Sequence, residues 1–150
     1  AVSELQELAS GSFQTVIGEV DELLPDAQIR RVVLCSGKVY YDLLQKRRDD
    51  NLRDIAIIRV EQLYPFPQKA VAAELARYPN ADIVWCQEEP RNQGAWRQIY
   101  EALAPALPAG KALHYTGRVA SASTAAGYLK LHNAEQAALV RDALGLTENQ

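Results

Sequence analysis

The residues best suited to chemistry lie near the middle of the chain, where Cys86 is followed two residues later by the neighbours Glu88 and Glu89. Paired carboxylates can divide the work of a general acid and a general base. Neighbours on an extended strand point to opposite sides, however, so adjacent carboxylates rarely converge on one substrate atom. We therefore expect one of them to face a crevice and the other to form an ion pair, with Arg91 or Arg118. Neither carboxylate is assigned a catalytic role.

A thiol nucleophile is a second hypothesis, in which Cys86 pairs with His132 in a small hydrolase. Cys86 precedes the end of its predicted strand and has no basic neighbour in sequence that would lower its pKa. Neither Cys86 nor Cys35 belongs to a Cys-x-x-Cys pair, and no metal-ligand spacing links them to the histidines. We expect both cysteines to be buried, reduced thiols, and we predict no catalytic or metal-binding residue.

Two predicted helix starts carry residues that suit an anion. Ser36–Lys38 follows a strand, but it lacks the spacing of a P-loop, so a plain strand-to-helix cap is favoured there. Gln68 and Lys69 fall in the first turn of another helix, and Gln62 lies just past the preceding strand. Free N–H groups, the positive end of a helix dipole and a lysine together favour a phosphate-binding site at this second position.

Alternating strands and helices must position these residues. Continuous apolar runs predict strands that are buried on both faces, and 3.6-residue spacing predicts the helices between them. The class is therefore α/β, with three α/β/α layers around a small, mostly parallel sheet. The predicted strands are Arg31–Cys35, Ile55–Val60, Ile83–Gln87, Leu113–Thr116 and, as a fifth, Tyr128–Leu131. The predicted helices run from a Ser36 N-cap to Asp50, from Gln68 to Tyr78, from Trp96 to Leu103, and from Asn133 to Gly145.

The first 28 residues are predicted to form an arm or linker, with the α/β domain covering residues 29–150. Ser3–Gln6 has the pattern of a capping box that opens a short helix, which Gly11 closes. Phe13–Gly18 is extended by composition, and a small-residue loop is predicted much later, over residues 120–127.

Composition excludes several classes of protein. A chain of 150 residues, 48% hydrophobic and 23% charged, fits one globular domain. A net charge of -3 argues against nucleic-acid binding, which needs a concentrated basic face. Because no run approaches ~18 apolar residues and no signal peptide opens the chain, we expect a soluble, intracellular protein with no membrane partner.

Five ordered motifs give the chain a family resemblance that runs over almost all 150 residues. They are Leu34–Leu44, Val60–Pro67, Trp85–Trp96, Gly117–Ser123 and the pair Gly127–Tyr128. Together they resemble the C-terminal region of the E1 component of the 2-oxoglutarate dehydrogenase complex, a thiamine-diphosphate-dependent enzyme of the transketolase-like superfamily. Because that enzyme is much longer, the chain is expected to be its C-terminal domain alone, with a transketolase-type C-terminal fold.

The resemblance implies which reaction the intact enzyme carries out and which of its domains bind the cofactor. In the intact enzyme the reaction is oxidative decarboxylation of 2-oxoglutarate in the tricarboxylic acid cycle, followed by succinylation of lipoyl-E2. Thiamine diphosphate and magnesium would be bound by upstream domains and not by this chain. Implied partners are a second E1 subunit in a homodimer, the upstream E1 domains and E2. The implied location is the cytoplasm of a bacterium, or the mitochondrial matrix of a eukaryote.

The resemblance also strengthens the predicted anion site, because relatives bind a nucleotide-type effector, AMP or acetyl-CoA, on this domain. The effector site would contain Gln62, Gln68 and Lys69, and by the same analogy Ser12 and Thr15 of the arm. Actinobacterial members carry arginines where this chain has Gln68 and Lys69, which implies a weaker grip on the anion. The alternatives left open are a free-standing nucleotide-sensing α/β module and the small hydrolase.

Overall fold

The computed structural model describes residues 14–90, 96–118 and 125–146, and within them the side chains of all but Pro90, Arg118 and residues 125–128. Five strands and four helices lie in these ranges. The strands are β1 (Val16–Ile17), β2 (Arg31–Cys35), β3 (Ile55–Val60), β4 (Asp82–Pro90) and β5 (Leu113–Arg118). The helices are α1 (Val39–Asp49), α2 (Gln68–Leu75), α3 (Trp96–Leu103) and α4 (Ala125–Ala143), with short 3-10 turns at Asp26–Gln28 and Ala104–Ala106.

The five strands form one sheet in the order β1-β3-β2-β4-β5. Strands β2, β3, β4 and β5 pair in parallel, whereas β1 runs antiparallel to β3 and places Val16 opposite Val60. Strand β2 lies at the centre, and its last four residues are fully buried. An unbroken apolar run suits this position because helices cover both faces of a parallel sheet.

The core has two layers, one on each face of the sheet. Side chains alternate along β2, so Val32 and Leu34 pack towards α2 and α3, while Val33 and Cys35 pack towards α1 and α4. Trp85, Trp96 and Leu103 fill the first layer. The second layer is built largely from aliphatic residues of α1 and α4, namely Val39, Leu43, Leu44, Leu139, Val140 and Ala143. The predicted three-layer α/β/α class with a mostly parallel sheet is confirmed.

Most predicted elements are confirmed, and several boundaries are wrong. The first two predicted strands match β2 and β3 residue for residue, while β4 and β5 extend to Pro90 and Arg118. Helix α2 ends at Leu75 and not at Tyr78, which lies in the following turn and is buried. Within the described residues, no helix is long and apolar enough to cross a membrane.

The prediction of a fifth strand at Tyr128–Leu131 is wrong, because these residues belong to helix α4. The four residues form a short, mainly apolar run, which suits a strand or a helix, and no helix-breaking residue separates them from the helix that follows. Leu129 is exposed and Leu131 half-buried, so the run does not define a buried face of a strand. The predicted loop therefore ends earlier, with residues 125–127 in the helix and residues 119–124 outside the described ranges.

The arm supplies the fifth strand instead, through Val16 and Ile17 of the segment predicted to be extended. A buried ion cluster then fastens the next residues: Arg47 of α1 donates to Glu19, to Asp21 Oδ2 at 2.9 Å and to the carbonyl of Ile55 at 3.0 Å. Glu19 also accepts the N–H of Ile57 at 2.8 Å, which continues the pairing of β3 beyond the end of β1. The predicted helix at Ser3–Gly11 lies outside the described residues.

Candidate functional site

The residues selected from the sequence gather at one edge of the sheet, where the parallel strands end. The chain leaves β2 towards β3 on one side and reaches β4 on the other, so the direction of winding reverses between β2 and β4. Crevices outside the carboxyl ends of strands at such a reversal are the usual ligand sites of open α/β sheets. The loops after β2, β3 and β4 therefore define the candidate region.

Thr15 and Gln62 are brought together by the pairing of β1 with β3. The Thr15 carbonyl accepts the N–H groups of Glu61 at 2.8 Å and Gln62 at 3.4 Å. The Gln62 side-chain amide donates to the carbonyl of Pro65 at 2.9 Å and so braces the loop between β3 and α2. Thr15 thus lies beside the start of this loop, whereas Ser12, the other predicted arm residue, lies outside the described residues.

Gln68 and Lys69 begin helix α2, as predicted, but Gln68 makes a side-chain hydrogen bond within the chain and Lys69 does not among the described residues. The Gln68 amide donates to the carbonyl of Ala102 at 2.6 Å and ties the start of α2 to the end of α3. Lys69 is exposed and makes no hydrogen bond or salt bridge among the described residues. The main-chain N–H groups of Lys69 and Ala70 have no intrahelical acceptor, since they lie in the first turn. The anion-binding capacity of this helix start therefore rests on those N–H groups and the Lys69 ammonium.

The carboxylates of Glu88 and Glu89 are held apart. The pairing of β4 with β5 shifts register between Cys86 and Pro90, an irregularity of the kind that re-aims side chains. Glu88 is half-buried and accepts the side-chain amide of Gln136 at 3.2 Å, while Glu89 is exposed. The same Gln136 amide donates to Asp42 of α1 at 2.8 Å. This geometry gives Glu88 a contact to α4 and does not join it with Glu89 at one substrate atom.

The predicted arginine partners of these carboxylates fall outside what the structure describes. Arg91 lies in the undescribed residues 91–95, and of Arg118 only the backbone is described.

Burial leaves Cys86 poorly suited to nucleophilic attack. Cys35 and Cys86 occupy paired positions on β2 and β4, and both are buried, free thiols. Burial raises the pKa of Cys86 to about 12, although a hydrogen bond with Thr116 acts in the opposite direction. Burial likewise raises the pKa of Cys35, and the neighbouring Cys86 adds to this. A thiol with so high a pKa is almost wholly protonated at neutral pH, which argues against the small hydrolase.

The Ser36–Lys38 turn is a strand-to-helix connection, but Ser36 is not its N-cap. Lys38 directly precedes α1 and makes no side-chain capping bond. Gly37 adopts a positive φ of 77°, which a glycine takes at little cost. The turn therefore uses two more residues than predicted before the helix begins, and the serine hydroxyl is too early in the chain to cap it.

The buried cluster around Arg47, which lies near the start of β3, was not predicted, although an arginine at an apolar helical position, with the acidic Glu19 and Asp21 upstream, was a signal for it. Aromatic residues in excess of core needs predict an exposed face, and Tyr64 and Tyr100 are exposed, whereas Trp96 is buried. The described residues contain no group of three or more His, Cys, Asp or Glu side chains placed to hold a metal ion.

Comparison with known proteins places these features in a family. Residues 2–144 match the family model described as 2-oxoglutarate dehydrogenase C-terminal. The chain is 57% identical over 145 residues to the 2-oxoglutarate dehydrogenase E1 component of Haemophilus influenzae, covering 96% of this chain and 15% of that protein. It is 54% identical over 144 residues to the E1 component of Cupriavidus necator, covering 95% and 15%. The chain thus spans about 15% of the length of these curated relatives.

A solved structure supports the fold. A split-gene transketolase, in an inactive β4 tetramer, superimposes with a TM-score of 0.56 over 90% of this chain and 43% of that one. Sequence identity in this comparison is 15%, so the likeness shows a shared transketolase-type fold and nothing about ligands or assembly.

Proposed function

The chain belongs to the 2-oxoglutarate dehydrogenase C-terminal family, and from this we propose that it works as the C-terminal domain of an E1 component that oxidatively decarboxylates 2-oxoglutarate and succinylates lipoyl-E2. The observation that carries the proposal is the match over residues 2–144, together with 57% identity to an E1 component over 145 residues. In this account the domain, residues 29–150 with the arm of residues 1–28, is structural: it braces the upstream domains and supports the dimer.

Thiamine diphosphate and magnesium do not fit the residues that the structure describes. Magnesium bound to a diphosphate needs oxygen ligands such as carboxylates. Among the described residues no cluster of His, Cys, Asp or Glu could hold a metal ion, and Glu88 is already engaged by Gln136. We therefore assign the cofactor and the metal to upstream domains of the enzyme.

This assignment is tested by titrating the purified chain with thiamine diphosphate and magnesium in a calorimeter. We expect no saturable heat, and no decarboxylation of 2-oxo acids by the chain alone. Saturable binding to the chain would overturn the assignment, and its loss in Glu88→Gln/Asp42→Asn would place the site at those carboxylates.

The partners follow from the same proposal. Tyr41, Tyr64 and Tyr100 are exposed aromatic residues, a type enriched at protein interfaces. We assign such surfaces to a second E1 subunit in a homodimer, to the upstream E1 domains and to E2. We also propose a cytoplasmic location and a place in the tricarboxylic acid cycle; the relatives are E1 components of bacteria.

We further propose that the start of α2 binds a nucleotide-type effector, AMP or acetyl-CoA. Lys69 is exposed at the positive end of the helix dipole, where cations are unfavourable unless an anion is bound. Gln62, Gln68, Thr15 and Ser12 would surround the rest of the ligand. Each of the two glutamine amides donates a hydrogen bond within the chain, so their side-chain oxygens remain the groups for a ligand to use.

Replacement of Lys69 tests the effector site, in an intact E1 enzyme that carries this chain. A hydrogen bond from a charged group contributes ~1.5–3 kcal/mol, so Lys69→Ala should weaken AMP or acetyl-CoA binding about ten- to hundredfold. Lys69→Arg should retain affinity, because a guanidinium can bind phosphate with two parallel hydrogen bonds.

The matched control is Lys38→Ala, which removes another exposed lysine beside a helix start and should leave affinity unchanged. Raising the salt concentration should weaken the unaltered enzyme more than Lys69→Ala. Equal affinity of the unaltered enzyme and Lys69→Ala would remove the effector from this helix.

A further inference from the structure

Strand β3 has a neighbouring strand along most of one side, but at only two of its residues on the other side within the described part of the chain. Strand β2 pairs with Ile55–Arg59, whereas β1 pairs with Arg59 and Val60 alone. Residues 55–58 therefore form an edge of the sheet on the β1 side. Their sequence, Ile-Ala-Ile-Ile, is apolar and rich in β-branched residues. An apolar edge of this kind is a template for pairing with another extended chain unless it is covered.

Two charged side chains cover this edge by bonding to its main chain. Glu19 Oε1 accepts the N–H of Ile57 at 2.8 Å, and Arg47 Nη1 donates to the carbonyl of Ile55 at 3.0 Å. Both side chains are buried, with 6% of Glu19 and 1% of Arg47 exposed. They also bond to each other, so one ion pair occupies the place that a neighbouring strand would take. Without the pair, both main-chain groups of β3 would be open to another strand.

The same charges hold the arm over the edge after β1 ends. The Asp21 carboxylate accepts hydrogen bonds from Arg47 at 2.9 Å and from Arg48 at 2.7 Å, and the Asp21 N–H donates to Glu19 at 2.9 Å. Val20, which lies between the two acidic residues, is 53% exposed and adds little apolar packing. This part of the arm is therefore fastened to the edge by ion pairs.

We propose that β3 is a strand-addition surface for β3 of a second copy of this chain, and that the Glu19–Arg47 pair keeps it closed. The edge accepts an antiparallel strand, as β1 shows, and two identical antiparallel strands can be related by a two-fold axis. Because the Ile57 N–H points towards the edge, an axis at Ile57 would let the two Ile57 residues exchange both main-chain hydrogen bonds.

The sequence of β3 suits this occupant, since β-branched residues on two neighbouring strands form favourable cross-strand pairs. The inference does not depend on the proposed enzymatic role, because it rests on the pairing of β3 and on the ion pair that covers it.

The variant Glu19→Ala/Asp21→Ala/Arg47→Met tests the inference in the full chain, since it opens the edge without leaving a buried charge unpaired. At low protein concentration the Ile57 amide should exchange with solvent at least about tenfold faster than in the unaltered chain, because its hydrogen bond to a carboxylate is lost. When the concentration is raised about a hundredfold, the variant should associate further than the unaltered chain, and the Ile57 amide should regain protection. Amide exchange followed by NMR and sedimentation equilibrium measure the two effects.

The matched control is Asp26→Asn/Arg77→Met, which removes an exposed ion pair of the same arm, 3.5 Å long, and should change neither the Ile57 amide nor the association. Glu19→Ala is the second variant if the triple variant does not fold, because Asp21 and the Ile55 carbonyl still hold Arg47 there. The same direction of change is expected for it.

An Ile57 amide that stays as protected in the dilute variants as in the unaltered chain would overturn the inference, since the ion pair would then not cover the edge. An exposed amide without further association would overturn it too. So would association that leaves the Ile57 amide exposed, because another surface would then join the two copies.

Discussion

Two neighbouring arginines on α1 show how burial decides the value of an ion pair. Arg47 is 1% exposed and donates to Glu19, Asp21 and a main-chain carbonyl, whereas Arg48 is 51% exposed and pairs with Asp21. Although burial by itself lowers the pKa of Arg47, its bonds with Glu19 and Asp21 outweigh that effect and raise it. The folded structure therefore stabilises the charged form of Arg47.

Replacing each arginine by methionine separates the two cases. Arg47→Met leaves the Glu19 carboxylate buried without its cation, and breaking a buried pair in this way costs ~3–5 kcal/mol. Arg48→Met removes a pair that solvent screens, so its effect should be much smaller. Urea unfolding of both variants measures the difference in the free energy of unfolding. Equal losses would contradict a structural role for burial of Arg47.

Asp21 gives this cluster a pH dependence. The hydrogen bond from Arg48 lowers the pKa of Asp21 from 3.8 to about 2; burial opposes this, and Arg47 contributes further lowering. A depressed pKa contributes stability above the unfolded value, and that contribution is lost as the pH falls through the folded value. The free energy of unfolding should therefore decline between about pH 4 and pH 2. Asp21→Asn should be less stable at neutral pH and decline less over that range; identical slopes would contradict the assignment.

At the scale of elements, the end of β4 depends on a glycine in β5. A Cβ at Gly117 would lie 2.1 Å from the Tyr115 hydroxyl and 3.1 Å from the carbonyl of Gln87. The Tyr115 hydroxyl donates to the carbonyl of Glu89 at 3.1 Å, and its ring lies 4.8 Å from that of Trp96. The close approach of Tyr115 to the strand thus fixes the register shift of β4 and the start of α3.

Gly117→Ala should displace the Tyr115 side chain and break both contacts. Forcing extra volume into a packed site costs ~1–3 kcal/mol, and a loss of this size is expected in the free energy of unfolding. In a Tyr115→Ala background the same change should cost less, since the side chain that the new methyl group meets is gone. Strict additivity of the two substitutions in denaturant unfolding would show that Tyr115 is not the obstacle.

The elements that could be predicted from sequence are those set by local composition. The apolar runs of β2 and β3 predict their bounds because both faces are buried and a charged residue or turn ends each run. The start of α4 could not be predicted, because the short, mainly apolar run at Tyr128–Leu131 is compatible with a strand or a helix. The pairing of Val16 and Ile17 with β3 is a non-local contact, and a two-residue strand leaves almost no pattern.

For the whole molecule, the parallel topology explains why the candidate residues gather at one edge. Gln62 and Lys69 could be identified from sequence because each follows a predicted strand or begins a predicted helix. Their internal hydrogen-bond partners could not, since Gln68 reaches Ala102, 34 residues further along the chain. Family membership places this edge of the sheet in a domain that corresponds to about 15% of the length of its longer relatives.

An exchange of domains tests most directly whether the chain acts as the C-terminal domain of an E1 component. The segment of the Haemophilus influenzae E1 component that matches this chain makes up 15% of that protein and is 57% identical over 145 residues. It would be deleted in one variant and exchanged for this chain in a second, the chimera. Decarboxylation of 2-oxoglutarate would be followed with an artificial electron acceptor. We predict that the truncated enzyme is inactive and that the chimera retains at least about a tenth of the parental rate, a barrier change within ~1.4 kcal/mol. A truncated enzyme that keeps full activity, or a folded chimera with none, would contradict the account.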